Sequence, residues 1–118
     1  MEISAVVVTF NNETHIKECL TSLNESLEGW HWEVVVWDNG STDSTLDLLR
    51  VHTCSENSTI IDSENIGFAA AVNAAVQCTS GRYLLLVNPD TRVPCAAPQV
   101  LRDVLDNDSS IGVAGALI

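Results

Sequence analysis

The sequence predicts an α/β fold, a mostly parallel sheet flanked by helices on both faces. Three observations carry this. Short, unbroken apolar runs recur along the chain, as they do in strands covered on both sides. The stretches between them place apolar residues at helical spacing. Strand and helix alternate throughout, which calls for right-handed crossovers and brings successive strands parallel. The 118 residues suit one domain, and 46% hydrophobic against 18% charged residues supplies a core.

The first strand is read at Ile3 to Phe10, around the run Ala5-Val6-Val7-Val8. Asn11 and Asn12 then offer helix caps, and Ile16, Leu20, Leu23 and Leu27 fall on one face of the helix that follows. Glu33 to Trp37, rich in valine, is the second strand. Ser41 or Thr42 can cap the second helix, with Asp43 and Asp47 in its first turns and Leu46, Leu48 and Leu49 facing inward. Ser58 to Asp62 reads as a short third strand, and Gly67 to about Cys78 as an alanine-rich helix. Arg82 to Val87 is the fourth strand, whose Leu84-Leu85-Leu86-Val87 run suits the middle of a sheet. Pro94 and Pro98 bracket the start of a last helix carrying Leu101, Val104 and Leu105, and Ile111 to Ile118 reads as a fifth strand. That final apolar strand has no polar tail, so the chain is expected to be a piece of a longer protein.

Charge narrows the function. Five basic residues against sixteen acidic ones leave a formal charge of −11. An acidic surface without a basic stripe repels a nucleic-acid backbone, and anionic lipid as well. A phosphate-bearing ligand would need a metal ion, backbone N–H groups or a helix N-terminus to offset its charge. The N-terminal residues lack the basic region and cleavage site of a signal peptide, and no apolar run reaches the roughly 18–20 residues that span a bilayer. Cys19, Cys54, Cys78 and Cys95 are scattered without a C-x-x-C pair, which argues against zinc and for free thiols in a reducing cytosol.

In a parallel α/β sheet the ligand crevice lies at the carboxyl ends of the strands. The segments to examine are therefore Thr9-Phe10-Asn11, Asp38-Asn39-Gly40 and Asn88-Pro89-Asp90. Turn and cap chemistry accounts for Asn39 to Asp43. Asp38 has two readings: a structural carboxylate, or an acceptor for the N3–H of a uracil or thymine ring. Asn88-Pro89-Asp90 could be a plain turn. A carboxylate at the end of a buried strand also suits Mg²⁺ or Mn²⁺, which need only one or two protein carboxylates beside phosphates. Gly67 belongs to no G-x-G-x-x-G fingerprint, and no P-loop is present, but it could admit a ligand close to the backbone at a helix N-terminus. Asn73 is either a solvated position or a loop anchor. His15, His31 and His52 form no cluster and read as surface residues; no serine sits in a G-x-S-x-G elbow. Trp30, Trp32 and Trp37 read as core or rim packing.

Taken together, these segments resemble the family-2 glycosyltransferases of GT-A fold. The matching residues run through Val6-Val7-Val8-Thr9-Phe10-Asn11, where the family usually has tyrosine at the Phe10 position, and Val35-Val36-Trp37-Asp38-Asn39-Gly40-Ser41-Thr42-Asp43. They continue through Asn65-Ile66-Gly67-Phe68-Ala69 and Leu84-Leu85-Leu86-Val87-Asn88-Pro89-Asp90, and Asn-Pro-Asp in place of Asp-x-Asp resembles the rhamnosyltransferase-type branch.

The resemblance implies a Rossmann-like nucleotide-binding half of a GT-A domain. Thr9, Asn11 and Asp38 would bind base and ribose, beside Phe10 and Asn39. Gly67, Phe68 and Asn73 would shape the wall near the diphosphate and sugar. Asn88 would support the loop from which Asp90 ligates Mg²⁺ or Mn²⁺. Because Asn88 replaces the first aspartate of the motif, metal binding rests largely on Asp90.

The parent enzyme would move a sugar, with inversion, from an NDP-sugar (dTDP-rhamnose or a UDP-sugar) to a saccharide or lipid-linked acceptor. Its setting would be cell-surface polysaccharide synthesis, in the cytoplasm or peripherally at the inner membrane face. The family places its general base beyond the donor half, hence after Ile118, so this chain is expected to bind a nucleotide but transfer sugar slowly or not at all. The alternative is a nucleotide-sugar-binding module without catalysis. A phospho-acceptor signalling domain fits poorly, since Phe10-Asn11-Asn12 offers no acidic pair and Lys17 is the single lysine. An unprotected sheet edge or face is expected to favour homo-oligomers.

Overall fold

A computed structural model describes residues 1–53 and 56–116. Strands and helices alternate in the order β1 (Ile3–Thr9), α1 (Ile16–Ser26), β2 (Trp32–Asp38), α2 (Thr45–His52), β3 (Ser58–Asp62), α3 (Phe68–Val76), β4 (Tyr83–Val87) and α4 (Ala97–Asn107). The four strands form one sheet in the order β3-β2-β1-β4, and every pairing is parallel. The α/β class expected from the alternation is the class observed.

Period-two alternation divides the core between two faces of the sheet. Ile3, Ala5, Val7, Val34 and Val36 point to the side where α1 delivers Ile16, Leu20, Leu23 and Leu27 and α2 delivers Leu49. Val6, Val8 and Val35 point to the other side, against Ala71 and Ala75 of α3. Small residues let α3 lie close to the valines. The chain steps outward from β1 through β2 to β3, then crosses under the sheet along α3 to place β4 on the far side of β1. That reversal creates a switch point between β1 and β4, where such sheets bind ligands.

A polar network at the amino ends of the strands seats β4. The Ser4 hydroxyl, wholly buried, donates to Glu33 Oε1 at 2.6 Å and accepts the Gly81 N–H at 2.7 Å. The same Glu33 oxygen accepts the Ser80 N–H at 2.6 Å and the Ser80 hydroxyl at 3.1 Å. Residue 81 must be glycine here, because a Cβ would lie 2.5 Å from Ser4 Oγ and 2.6 Å from Ser4 N. Burial alone would raise the Glu33 carboxyl; the bonds from Ser4 and Ser80, with the chain's N-terminal charge, outweigh it and hold the group below its ordinary value.

Several sequence expectations are corrected. β4 is an edge strand among the described residues, not a central one, with Leu84 48% and Leu86 60% exposed. The two leucines share the α3 face of the sheet, but α3 packs over β1 and β2 and leaves them uncovered. The segment expected as a fifth strand is irregular over residues 111–116, and the remainder of that stretch lies outside the described residues. A strand exists through its ladder, and residues 111–116 pair with no strand among the described residues; they border a groove of about 680 Å³ between β4 and α4.

The helix caps also differ. α1 begins at Ile16 without a side-chain cap, its first N–H groups bonding the Asn12 carbonyl. α2 begins at Thr45 rather than after Ser41 or Thr42; Asp43 takes the capping role by accepting the Thr45 N–H at 2.9 Å and the Thr45 hydroxyl at 2.5 Å. Trp30, Trp32 and Trp37 pack partly buried on the core, as expected, and Arg102 stacks over Trp30 at 4.7 Å. Cys19, Cys78 and Cys95 are free thiols, Cys19 buried; Cys54 lies outside the described residues. His15 and His31 are exposed and His52 is half-buried.

Candidate functional site

Because the strands are parallel, their carboxyl ends share one side of the sheet. Thr9 and Asp38 are register partners at the ends of β1 and β2, and the Asn39 N–H bonds the Thr9 carbonyl at 2.8 Å. β4 ends at Val87, level with Val7, so Asn88-Pro89-Asp90 emerges beside Thr9-Phe10-Asn11 across the switch point. β2 and β4 flank β1, so the segments bearing Asp38 and Asp90 leave strands separated by two strand spacings, about 10 Å. The two acidic residues lie at one end of the sheet.

The loops after β1 and β2 are laced into a single wall. Asn11 adopts a left-handed backbone, φ 51°, which turns its side chain across to the second loop. There its Oδ1 accepts the N–H groups of Thr42 at 2.8 Å and Asp43 at 3.3 Å. In return, the Asn11 N–H donates to Ser41 Oγ at 2.9 Å. Asn12 donates to Thr9 Oγ1 at 3.1 Å through its side chain, and to Thr45 Oγ1 at 2.9 Å through its backbone.

Asp38 is 1% exposed, and Ser41 covers its carboxylate: the hydroxyl donates to Oδ1 at 2.5 Å and the N–H to Oδ2 at 3.2 Å. The structural reading of Asp38 is the one these bonds describe. The arrangement orders the loop and leaves the buried carboxylate at the strand tip satisfied by Ser41.

Asn39, 4% exposed, joins this wall to the loop before α3. Its amide donates to Asn65 Oδ1 at 3.2 Å, and its Oδ1 accepts the Ile66 N–H at 3.0 Å. Asn65 Oδ1 also accepts the Gly67 N–H at 2.9 Å. Gly40, at φ +89°, permits this approach; a Cβ there would sit 3.0 Å from the Asn65 nitrogen. Gly67 opens α3 with φ +86°, and Phe68 beside it is 63% exposed. Phe10 is 45% exposed at the end of β1. Asn73 lies about 8 Å further along the α3 axis, exposed, its side chain without a hydrogen bond to the described residues. Of its two readings, the solvated position matches its exposure here.

Asn88 and Asp90 are both exposed. The Thr91 N–H bonds the Asn88 carbonyl at 3.0 Å, closing a turn that carries Asp90 outward. No hydrogen bond or ion pair from the described residues engages the Asp90 carboxylate. No group of three or more His, Cys, Asp or Glu side chains suited to a metal occurs among the described residues. One free carboxylate cannot build an all-protein cage, but it fits Mg²⁺ or Mn²⁺ that draws its other oxygens from water and phosphate.

Ser41 and Asn65 are the partners that sequence reasoning missed. Ser41 reads as a helix cap, though its bonds reach only three residues back to Asp38, a local Asp-x-x-Ser pattern that could have shown them. Asn65 reads as a loop residue, and its bond to Asn39 spans 26 residues that no local pattern encodes.

In a parallel α/β sheet ligands bind in the crevice at the switch point, and that is where these polar loops gather. The glycosyl transferase family 2 profile matches residues 4–118, and the chain belongs to that family. It is 33% identical over 94 residues to the poly(ribitol-phosphate) beta-glucosyltransferase of Bacillus spizizenii, covering 76% of this chain and 15% of that protein. Among solved structures, S. aureus TarS 1–349 in complex with UDP-GlcNAc matches with a TM-score of 0.75 and 27% identity, over 91% of this chain and 32% of that one. The mannosyltransferase PcManGT of Pyrobaculum calidifontis, in complex with GDP-Man and Mn²⁺, matches with a TM-score of 0.80 and 25% identity, over 88% of this chain and 32% of that one. The chain thus spans about a third or less of the length of these relatives. Among the described residues no helix is long and apolar enough to cross a membrane.

Proposed function

We propose that this chain is the donor-binding part of an inverting glycosyltransferase that takes its sugar from an NDP-sugar, with the acceptor-binding part and general base lying in sequence beyond residue 118. The observation that carries this reading is the convergence of the Thr9, Asp38–Asn39 and Asn88–Asp90 segments on the switch point between β1 and β4. The family match and the UDP-GlcNAc complex of a similar fold support it.

In this reading the base enters beside Thr9 and Asn11, and its imide N–H takes the Asp38 oxygen now held by the Ser41 hydroxyl. The cost is small, since one hydrogen bond replaces another within a desolvated pocket. Asn39 holds the loop before α3 as the floor, so Gly67 and Phe68 face the diphosphate. Asp90 holds Mg²⁺ or Mn²⁺ against the diphosphate, and Asn88 closes the turn that presents it. The cation, when bound, neutralises negative charge on the departing diphosphate. On a chain of net charge −11, that neutralisation also strengthens the binding of a diphosphate.

A uracil or thymine base follows from the Asp38 acceptor, and Asn-Pro-Asp favours dTDP-rhamnose beside UDP-sugars. The acceptor is a saccharide or a lipid-linked saccharide, reached from the cytoplasm or the inner membrane face. Calorimetry with UDP, dTDP and GDP, each with and without Mn²⁺, tests the reading. UDP or dTDP should bind more tightly than GDP, and Mn²⁺ should strengthen both. Equal binding of GDP would overturn the role of Asp38, and no binding of any nucleotide would overturn the whole. Release of free sugar from a UDP-sugar would separate a catalytic chain from a binding module.

A further inference from the structure

The turn bearing Asp90 is held from behind by α1. Cys19, fully buried, donates its thiol hydrogen to the Asn88 carbonyl, with Sγ and oxygen 3.5 Å apart. One helical turn later Ser22, 6% exposed, accepts the Val93 N–H at 2.9 Å and donates to the Cys19 carbonyl at 3.0 Å. Between these two points, on the outside, Glu18 pairs with Arg92 at 3.6 Å. Residues 18, 19 and 22 share one face of the helix. Segment 88–93 leaves β4, so its backbone groups have no sheet ladder to satisfy them. Val93 is buried and its N–H needs a partner, which Ser22 supplies; at the other end the Asn88 carbonyl takes the Cys19 thiol in addition to the Thr91 N–H. Asp90 lies in the middle of the gripped span and faces outward; no hydrogen bond links its carboxylate to either side chain.

We propose that Cys19 and Ser22 are positioning residues, which set the place of Asp90 by fixing both ends of the Asn88–Val93 segment to α1. This rests on the reading of Asp90 as the cation ligand. A hard cation demands its oxygens within a few tenths of an ångström, so a turn released at either end loses cation binding before it loses the nucleotide.

The test uses the full chain and two titrations of UDP, with and without Mn²⁺, the bound ion being followed by its electron paramagnetic resonance signal. Cys19→Ala and Ser22→Ala should each cut the Mn²⁺-dependent gain in UDP affinity about fivefold, while metal-free UDP affinity stays within about twofold. Cys19→Ser should restore most of the gain, because a hydroxyl can donate to the same carbonyl. Folded alanine variants that keep the full gain overturn the proposal.

If an alanine variant does not fold, amide exchange in the unsubstituted chain decides. The Thr91 and Val93 amides should be protected; free exchange at Val93 overturns the proposal. Asp90→Ala, run in parallel, separates the two layers. Loss of the gain there with retention in both alanine variants refutes only the positioning role. Retention of the gain in Asp90→Ala refutes the cation assignment, and the positioning role falls with it.

Discussion

Replacing Ser4 with alanine isolates the network that seats β4. The hydroxyl is wholly buried and makes two bonds, one to Glu33 at 2.6 Å and one from the Gly81 N–H at 2.7 Å. Loss of the first costs about 0.5–1 kcal/mol, because Glu33 is half-exposed and water replaces part of it. Loss of the second leaves a backbone N–H beside a methyl group, with a penalty of about 1–2 kcal/mol. The sum, about 2 kcal/mol, corresponds to a fall of roughly 6–12 °C in Tm for a domain of this size.

The pH dependence is distinctive. The Glu33 carboxyl lies below its ordinary value of 4.5 in the folded chain, so it contributes stability above that pH and loses it as pH falls through the lowered value. Ser4→Ala removes one of the donors that lower it. The gap between the two proteins should therefore be full at pH 7 and narrow below about pH 4.5. Urea unfolding at pH 7 and pH 3 measures both. A gap under about 0.5 kcal/mol at pH 7, or one unchanged at pH 3, would refute the reasoning. UDP affinity should not move, because this network lies at the opposite end of the sheet from the cleft.

Three further outcomes are expected. Gly40→Ala forces a left-handed backbone onto a side chain whose Cβ would meet the Asn65 nitrogen at 3.0 Å; stability should fall by about 1–2 kcal/mol and UDP affinity should drop, both read by calorimetry. The open edge of β4, with Leu84 and Leu86 exposed, should bring two copies of the chain together; sedimentation should show association that rises with concentration and weakens in Leu86→Lys. Burial, then the charge of Asp90, push the Cys19 thiol up to about 11 against the opposing Thr91 N–H bond. At pH 8 iodoacetamide should label the exposed Cys78 and Cys95 and spare Cys19 in the folded chain, by mass spectrometry, and label all three in urea.

What could be read without coordinates was local in origin. The valine runs of β1 and β2, the four-three-four spacing of Ile16, Leu20, Leu23 and Leu27, and the polar residues closing each strand are patterns over a few neighbours. They suffice for the α/β class and for pointing to Thr9, Asp38 and Asn88–Asp90 as residues at one end of the sheet. Errors arose where the deciding partner lay elsewhere in the chain. Leu84-Leu85-Leu86-Val87 reads as a central strand because the run is apolar, yet a strand's rank depends on which strands pair with it. Residues 111–116 look like a strand for the same reason and pair with nothing among the described residues. Asn65 looked like a plain loop residue until the fold set its side chain against Asn39, 26 residues away.

Only the tertiary structure could decide that α3 crosses beneath the sheet and puts β4 next to β1, so that the Asn88–Asp90 segment emerges at the same end of the sheet as the loops of β1 and β2. Only it could show Cys19 and Ser22 behind that turn, some 70 residues away along the chain. Periodicity follows from bonds that span three or four residues. Strand order, burial and the sharing of a hydroxyl between distant loops follow from closing the whole chain around one core, a condition no short window of sequence contains.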